Sequence, residues 1–101
     1  MTTEDTDMLL VGVGGGGCRM AATAGASLGG TLRAIGFDTD ALAARSLTGL
    51  RCHLIGVPRL DGHATGGDMV KGRAAAQDDV ETLRKTLSGV RTAVVVVSLG
   101  G

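Results

Sequence analysis

The residues best suited to chemistry in this sequence are the glycines that follow its first apolar segment. Residues 12–17 (GVGGGG) satisfy G-x-G-x-x-G, with an apolar run before them and a helix-like pattern after them. Backbone N–H groups at a helix N-terminus bind phosphate oxygens, and a Cβ on such a turn would hold the oxygens away. We therefore predict a phosphate-binding turn, with a tight strand-to-helix turn that holds no ligand as the alternative. The P-loop pattern G-x-x-x-x-G-K-[ST] is not met, because the run contains no lysine.

Three further segments with polar or glycine residues are placed to join this turn: residues 38–40 (DTD), 62–67 (GHATGG) and 98–101 (SLGG). In an open parallel sheet, ligands bind at the carboxyl ends of the strands, so the loops that follow strands belong to one site. A carboxylate from Asp38 or Asp40 beside a phosphate suits Mg²⁺, bound directly or through water, while the other carboxylate is better suited to cap the following helix. His63, which has no partner at a defined spacing, is predicted to face solvent.

Apolar periodicity predicts strands that alternate with helices. Residues 8–13 form an apolar run typical of a strand covered on both faces of a parallel sheet. The longest predicted helix, residues 68–88, has Asp68 as its N-cap and Gly89 at the left-handed position beyond its end. The β-branched run at residues 93–97 is of a kind found at the centre of a parallel sheet. The other predicted elements are a helix at 18–28, a strand at 31–37, a helix at 41–47 and a strand at 52–57.

This alternation predicts an α/β fold, a Rossmann-like, doubly wound parallel sheet in a three-layer αβα arrangement. A length of 101 residues allows one modest core. We expect one partial nucleotide-binding domain over residues 1–101, in which the acidic and polar residues 1–7 are flexible. The last strand is expected to need more sheet beside it than this chain supplies.

Composition excludes several classes of protein. Ten basic and ten acidic residues give a formal net charge of zero, and Phe37 is the one residue among Phe, Tyr and Trp, so neither electrostatic capture of nucleic acid nor base stacking is supported. Two cysteines are too few for a disulfide framework and lack a Cys/His metal spacing, which favours a reducing cytoplasm. No run approaches the roughly 20 apolar residues of a membrane span.

The residues themselves leave the identity of the ligand open. Asp38 follows the second predicted strand, where an acid suits the ribose 2′-OH of NAD or FAD. That pattern would make the chain a dinucleotide-binding fragment of an oxidoreductase. A structural or interaction module that binds no nucleotide is a further alternative.

Taken together, the motifs resemble those of FtsZ and, more distantly, tubulin. The strings VGVGGGGCRMA, IGFDTDALAA, DGHATGGDMVKGRAAA and AVVVVSLGG are similar to the family in order and spacing over residues 9–101. The resemblance implies the N-terminal half of a tubulin/FtsZ GTPase domain that binds GTP or GDP with Mg²⁺, with Asp40 near the metal. The nucleotide-binding residues that it implies are Gly14, Gly15, Gly16, Gly17, Cys18, Arg19, Asp38, Asp40, Thr65, Gly66, Gly67, Gly100 and Gly101.

The resemblance also implies a role in the cell. Proteins of this family polymerise into filaments, FtsZ in cell division, and GTP is hydrolysed only when the acidic loop of the next subunit completes the site. The place of that loop is beyond residue 101. We therefore expect this chain to bind GTP, to require further copies or a second polypeptide, and not to hydrolyse GTP alone. Four positions depart from the family pattern: Cys18 replaces a glycine, Arg19 and Asp38 replace asparagines, and Met69 replaces the proline after the third loop.

Overall fold

The computed structural model describes residues 8–27 and 32–98. The strands and helices in these ranges are β1 (Met8–Val13), α1 (Gly14–Ser27), β2 (Arg33–Asp38), α2 (Ala41–Ser46), β3 (Arg51–Leu54), α3 (Val57–Leu60), α4 (Met69–Asp78), α5 (Val80–Thr86) and β4 (Thr92–Val97). The flexible segment predicted at residues 1–7 and the predicted site residues Gly100 and Gly101 lie outside the described residues.

The four strands form one sheet in the order β3-β2-β1-β4. β1 lies between β2 and β4, so that Val11 is paired with Ile35 on one side and with Val95 on the other. Each of the three strand pairings is parallel. The predicted α/β fold with a parallel sheet is therefore confirmed.

Apolar side chains cover both faces of the sheet, as a three-layer arrangement requires. On one face, Leu9 and Val11 belong to a buried cluster against which α4 and α5 pack. On the other face, Leu10 packs with Cys18 and Ala21 of α1. Because the side chains of a strand alternate between faces, the continuous apolar run of β1 supplies both clusters.

The first helix begins at Gly14, four residues before its predicted start at Cys18, so residues 14–17 form the first turn of α1 and not a loop. Gly14 has a φ of 75°, in the left-handed region that glycine enters readily, and this residue turns the chain from β1 into the helix. Glycine is a poor helix former. Sequence periodicity therefore placed the start of the helix at the first residue with a side chain.

The long helix predicted at residues 68–88 is wrong in one respect, because it is two helices. Asp68 caps α4 through its carboxylate, and Gly89 is left-handed with a φ of 80°, both as predicted. Between α4 and α5, however, Asp79 has a φ of −110° and a ψ of 22°. Its carboxylate accepts a hydrogen bond of 2.6 Å from the N–H of Gly56. This contact between distant segments accounts for the interruption.

Two strand boundaries also differ from their predictions. β2 is shifted toward Asp38, which is its last residue and not the first residue of a loop. β3 ends at Leu54, because Gly56 with a φ of 70° turns the chain into the short helix α3. The helix predicted at residues 41–47 is confirmed as α2.

The β-branched strand β4 lies at an edge of the described sheet, and its predicted place at the centre is wrong for residues 8–27 and 32–98. Its valines are correspondingly open to solvent, with Val94 45% exposed, Val95 59% and Val97 46%. This exposure agrees with the expectation that the strand needs more sheet beside it.

Candidate functional site

A cleft of about 500 Å³ opens at the carboxyl ends of β1, β2 and β4. In the order β3-β2-β1-β4, the sheet is extended on opposite sides of β1, and ligands of open α/β sheets bind at such a switch point. The described residues that line the cleft are Val13, Gly14, Gly15, Gly16, Arg19, Asp38, Thr39, Asp40, Ala43, Ala64, Thr65, Gly66, Gly67 and Ser98.

Most of the predicted site residues lie around this one cleft. Those that line it are Gly14, Gly15, Gly16, Arg19, Asp38, Asp40, Thr65, Gly66 and Gly67. Gly17 and Cys18 are buried beneath it. Five lining residues were not among the predicted site residues: Val13, Thr39, Ala64 and Ser98, which lie in the segments predicted to meet at the site, and Ala43, which reaches the cleft from α2. An alanine carries no signal by which a ligand contact could have been recognised.

Internal packing alone explains two of the glycines. A Cβ on Gly17 would collide with the carbonyl oxygen of Val96, and one on Gly12 would lie 2.6 Å from the carbonyl oxygen of Gly17. The close approach of α1 to β1 and β4 therefore requires glycine at both positions, whatever the cleft binds. These two residues are equally compatible with a tight turn that holds no ligand.

Gly15 is not explained by internal packing. A Cβ there would meet Arg19 Nη1 at 3.3 Å and Asp38 Oδ2 at 4.0 Å. The first neighbour is the end of a flexible, exposed side chain, and the second is at ordinary contact distance. The protein's own packing thus leaves room for a side chain at residue 15, on the wall of the cleft. A bare backbone at that position suits a bound phosphate.

The backbone N–H groups of the first turn of α1 suit an anion. The first four N–H groups of an α-helix have no partner within the helix, and the helix macrodipole places partial positive charge at this end. α1 is 14 residues long and begins with this turn. Residues 14–16, which line the cleft, present this turn without side chains.

Asp38 has one carboxylate oxygen with partners and one without. The residue is 8% exposed. Its Oδ1 accepts hydrogen bonds from the N–H groups of Thr39 (2.8 Å) and Asp40 (3.2 Å). Its Oδ2 is buried and has no hydrogen-bond partner among the described residues. Since a buried acceptor without a partner costs free energy, Oδ2 is available for a donor or a cation that a ligand supplies.

Asp40 caps α2. Its Oδ1 accepts hydrogen bonds from the N–H groups of Leu42 (3.1 Å) and Ala43 (3.2 Å). Of the two acids considered at this loop, Asp40 is thus the one that fills the capping role. Its assignment as a metal neighbour stays a prediction, and any metal contact would share the carboxylate with this cap.

Among the described residues that line the cleft, Arg19 is the one basic residue. Its side chain is exposed, and its guanidinium lies beside Gly15 and Gly16. The cleft therefore places one positive charge close to the first turn of α1, and Asp38 Oδ2 lies near the same position beside Gly15. A guanidinium is a good hydrogen-bond donor to phosphate oxygens.

The loop before α4 forms the opposite wall of the cleft. Thr65, Gly66 and Gly67 line it, and the two glycines are left-handed, with φ of 65° and 79°. The loop is joined to α2 by a hydrogen bond of 2.9 Å from the N–H of Ala41 to the carbonyl of Gly62. His63 is exposed, as predicted.

The predicted site residue Cys18 has its side chain in the core and not in the cleft. Its Sγ lies 3.8 Å from Cys52 Sγ and 3.6 Å from the carbonyl oxygens of Gly12 and Phe37. Burial raises the pKa of the Cys18 thiol, and burial together with the neighbouring Cys18 raises the pKa of Cys52 to about 12. Both groups are therefore neutral thiols at pH 7, and the side chain of Cys18 serves the core.

Residues 8–27 and 32–98 contain no group of three or more His, Cys, Asp or Glu side chains that could hold a metal ion. A cation in the cleft would therefore need ligand oxygens in addition to those of the protein.

None of the helices in residues 8–27 and 32–98 is long and apolar enough to cross a membrane.

Comparisons with known proteins place this fold among tubulin-like structures. CetZ2 from Haloferax volcanii, solved as a GTPγS-bound protofilament, superposes with a TM-score of 0.80 at 28% identity, over 94% of this chain and 31% of that one. CetZ1 from the same organism, a GDP-bound monomer, superposes with a TM-score of 0.78 at 21% identity, over 94% of this chain and 33% of that one. An empty FtsZ dimer from M. jannaschii superposes with a TM-score of 0.80 at 22% identity, over 100% of this chain and 33% of that one.

This chain spans about a third of the length of these structures. No protein-family model matches the sequence, and no curated protein is a significant match. The likeness is therefore one of three-dimensional structure.

Proposed function

We propose that this chain, which is FtsZ/tubulin-like in fold, binds a guanine nucleotide by its phosphates in the cleft at the carboxyl end of the sheet. In this proposal the bare first turn of α1 holds the phosphates through its N–H groups. Gly14, Gly15, Gly16 and Arg19 are the binding residues on that wall. The loop with Thr65, Gly66 and Gly67 contacts the terminal phosphate from the other side.

The observation that carries this proposal is the glycine at residue 15. Gly17 is needed for packing against β4 and Gly14 for its positive φ, but neither reason applies to Gly15. Gly15 lies beside Arg19 on the wall of a cleft of about 500 Å³. A ligand with phosphate groups would explain why this position has no side chain. That volume lies within the range of about 300–1,000 Å³ typical of small-molecule sites.

The donor set also fits Mg²⁺. Asp38 Oδ2 is a buried carboxylate oxygen without a partner among the described residues, and hard cations prefer oxygen ligands. Mg²⁺ in nucleotide sites is usually bound by one or two carboxylates and by phosphate oxygens. Asp38 and Asp40 are the residues that would hold it, and when bound it would neutralise phosphate charge.

A dinucleotide is the second candidate, and the position of Asp38 favours it. Asp38 is the last residue of β2, where an acid binds the ribose 2′-OH in dinucleotide folds, and its free Oδ2 is a suitable acceptor. Arg19 and the glycines would then contact the pyrophosphate. The two candidates differ in what lies against Asp38, a cation or a ribose hydroxyl.

Isothermal titration calorimetry of the 101-residue chain with GTP, GDP and NADH, each in the presence of Mg²⁺, separates these candidates. We expect binding of GTP and GDP and no binding of NADH. Binding of NADH alone would establish the dinucleotide alternative. Absence of heat with all three, from a chain shown to be folded by circular dichroism, would contradict both candidates.

We further propose that the chain takes part in self-association of a tubulin-like cytoskeletal protein. Apolar side chains are exposed next to the cleft, with Leu42 77% exposed, Met69 86% and Val70 77%. Met69 and Val70 are adjacent in the sequence, and contiguous exposed apolar residues mark interaction surfaces in soluble proteins. A role in cell division belongs to this proposal and rests on the likeness to FtsZ.

A further inference from the structure

The two cysteines of this chain lie side by side on the face of the sheet that α1 covers. Cys18 belongs to α1 and Cys52 to β3, and they are 34 residues apart in the sequence. Their Sγ atoms are nevertheless only 3.8 Å apart, and both are free thiols. Because the S–S bond of a disulfide is about 2.05 Å long, a relative movement of less than about 2 Å would bring the two atoms to bonding distance.

Gly36 provides the space in which the two sulfur atoms meet. This residue of β2 is paired with Cys52 of β3, so both face the same side of the sheet. A Cβ at residue 36 would lie 2.6 Å from Cys18 Sγ and 3.4 Å from Cys52 Sγ. Gly36 does not have the positive φ that would itself require glycine. The absence of a side chain there is therefore what allows Cys18 to reach Cys52 across β2.

The two thiols differ in their access to solvent. Cys18 is 0% exposed, whereas Cys52 is partly exposed. An oxidant in solution therefore reaches Cys52 first, and Cys18 is placed to react with the product, as the second cysteine of a redox pair does. Burial raises the pKa of both thiols, and the thiolate is the reactive form. Oxidation at neutral pH is consequently slow, which suits prolonged oxidation and not rapid signalling.

We propose that Cys18 and Cys52 are a modification site, at which a small disulfide such as oxidised glutathione forms a reversible disulfide bond between α1 and β3. The Cys52 thiolate attacks one sulfur of the oxidant and releases one glutathione thiolate. Cys18, after losing its proton, attacks Cys52 Sγ in the mixed disulfide and releases the second glutathione. The two cysteines lose two electrons and two protons, and the oxidant takes up both to become two thiols.

This bond would fasten one wall of the cleft to an edge of the described sheet. Cys18 directly follows the four glycines of the first turn of α1, and β3 is an edge strand in the order β3-β2-β1-β4. The inference does not depend on nucleotide binding. A fold that holds the two thiols together lowers the entropy cost of closing the bond, and the bond in turn stabilises that fold.

Redox titration of the 101-residue chain at pH 7 is the first measurement. The chain is equilibrated with mixtures of reduced and oxidised glutathione, once folded and once unfolded in urea. Free thiols are then alkylated, and the intramolecular disulfide is quantified by mass spectrometry. The relevant ratio is the squared concentration of reduced glutathione divided by the concentration of oxidised glutathione. We expect the folded chain to be half oxidised at a ratio at least about tenfold higher than that of the unfolded chain.

Two results of this titration would overturn the proposal. One is a ratio for the folded chain that is equal to or lower than that of the unfolded chain, because the fold would then not favour the bond. The other is a mixed disulfide with glutathione, or a disulfide between two chains, as the main product of the folded protein.

Thermal unfolding of the oxidised chain is the second measurement. Its midpoint should lie at least about 5 °C above that of the reduced chain. Cys52→Ser is the matched control, because it removes the accessible sulfur atom and keeps a side chain of similar shape. The same oxidising treatment should leave its midpoint unchanged. An oxidised chain that unfolds no later than the reduced one, or an equal rise in Cys52→Ser, would overturn the proposal.

Discussion

Single residues decide whether the cleft is a binding site or only a turn. Glycines in one run serve different ends: Gly17 allows α1 to approach β4, Gly14 supplies a positive φ, and Gly15 has neither constraint. The same distinction holds for the two acids after β2. Asp40 is engaged as a helix cap, whereas Asp38 retains a buried oxygen without a partner among the described residues. Gly15 and Asp38 Oδ2 have no role in packing or capping, so they are the groups available to a ligand.

Substituting Gly15 and Gly17 separately tests this distinction. Gly15→Ala should change the free energy of unfolding by no more than about 0.5–1 kcal/mol, because its Cβ meets only a movable side chain. It should nevertheless abolish or strongly weaken nucleotide binding, because the Cβ occupies the phosphate position. Gly17→Ala should destabilise the fold by about 1–3 kcal/mol through its collision with the Val96 carbonyl.

Urea unfolding and calorimetry with GDP check both variants. If Gly15→Ala bound GDP as well as the unchanged chain, the bare backbone at residue 15 would have no role in binding. Equal loss of stability in the two variants would show that both glycines are structural.

The two cysteines predict a pH dependence of stability. The folded state raises the pKa of both thiols, that of Cys52 from 9.0 to about 12, so it holds their protons more tightly than the unfolded chain does. The free energy of unfolding should be insensitive to these groups below about pH 9 and should fall as the pH rises from there toward 12.

Thermal unfolding between pH 7 and about pH 10.5 measures this effect. Cys52→Ala is the control. Because this variant lacks one of the two thiols, its unfolding midpoint should fall less between pH 7 and about pH 10.5 than that of the unchanged chain. Identical alkaline slopes for the two proteins would contradict the assignment.

Among the helices and strands, contacts between distant segments set some of the boundaries, and the local sequence pattern does not predict these. The apolar run of β1, the cap at Asp68 and the left-handed Gly89 were predictable because each depends on neighbouring residues. The division between α4 and α5 was not, because it depends on a hydrogen bond from Gly56 to Asp79. The start of α1 was missed for a related reason, since its glycines are held helical by packing on the sheet and not by propensity.

The interruption at Asp79 predicts a specific loss of stability. Asp79→Ala should lower the free energy of unfolding by about 1–3 kcal/mol, because it leaves the N–H of the buried Gly56 without its acceptor. Asp79→Asn should retain most of the stability, because its amide oxygen can accept the same hydrogen bond. Urea denaturation compares the three proteins. An Asp79→Ala variant as stable as the unchanged chain would show that the hydrogen bond from Gly56 to Asp79 does not stabilise the fold.

At the scale of the whole molecule, the described sheet has an exposed edge. β4 pairs with β1 on one side, and its valines are about half exposed. The alternation of strands and helices and the meeting of the strand-end loops were predictable from sequence, because a parallel sheet imposes both. The edge position of β4 was not predictable from its composition, because a β-branched run is equally typical of a strand buried at the centre of a larger sheet.

This edge predicts association at high concentration. Analytical ultracentrifugation of the chain should show reversible self-association, which Val95→Lys should reduce by placing a charge on the exposed edge strand. Thr82→Lys, at an exposed position of α5, is the matched control and should leave the association unchanged. A chain that stays monomeric at all concentrations would contradict the interpretation of the edge.

Nucleotide binding as proposed depends on contacts between the phosphates and the backbone N–H groups at the start of α1. An ¹⁵N-labelled chain titrated with GDP and Mg²⁺, with its amide resonances followed by NMR, tests this most directly. We expect the largest shifts at residues 14–17 and at Thr65, Gly66 and Gly67, with little change at Val90, which lies outside the cleft lining. If GDP bound to the folded chain and left residues 14–17 unshifted, the backbone of α1 would not be the phosphate-binding element.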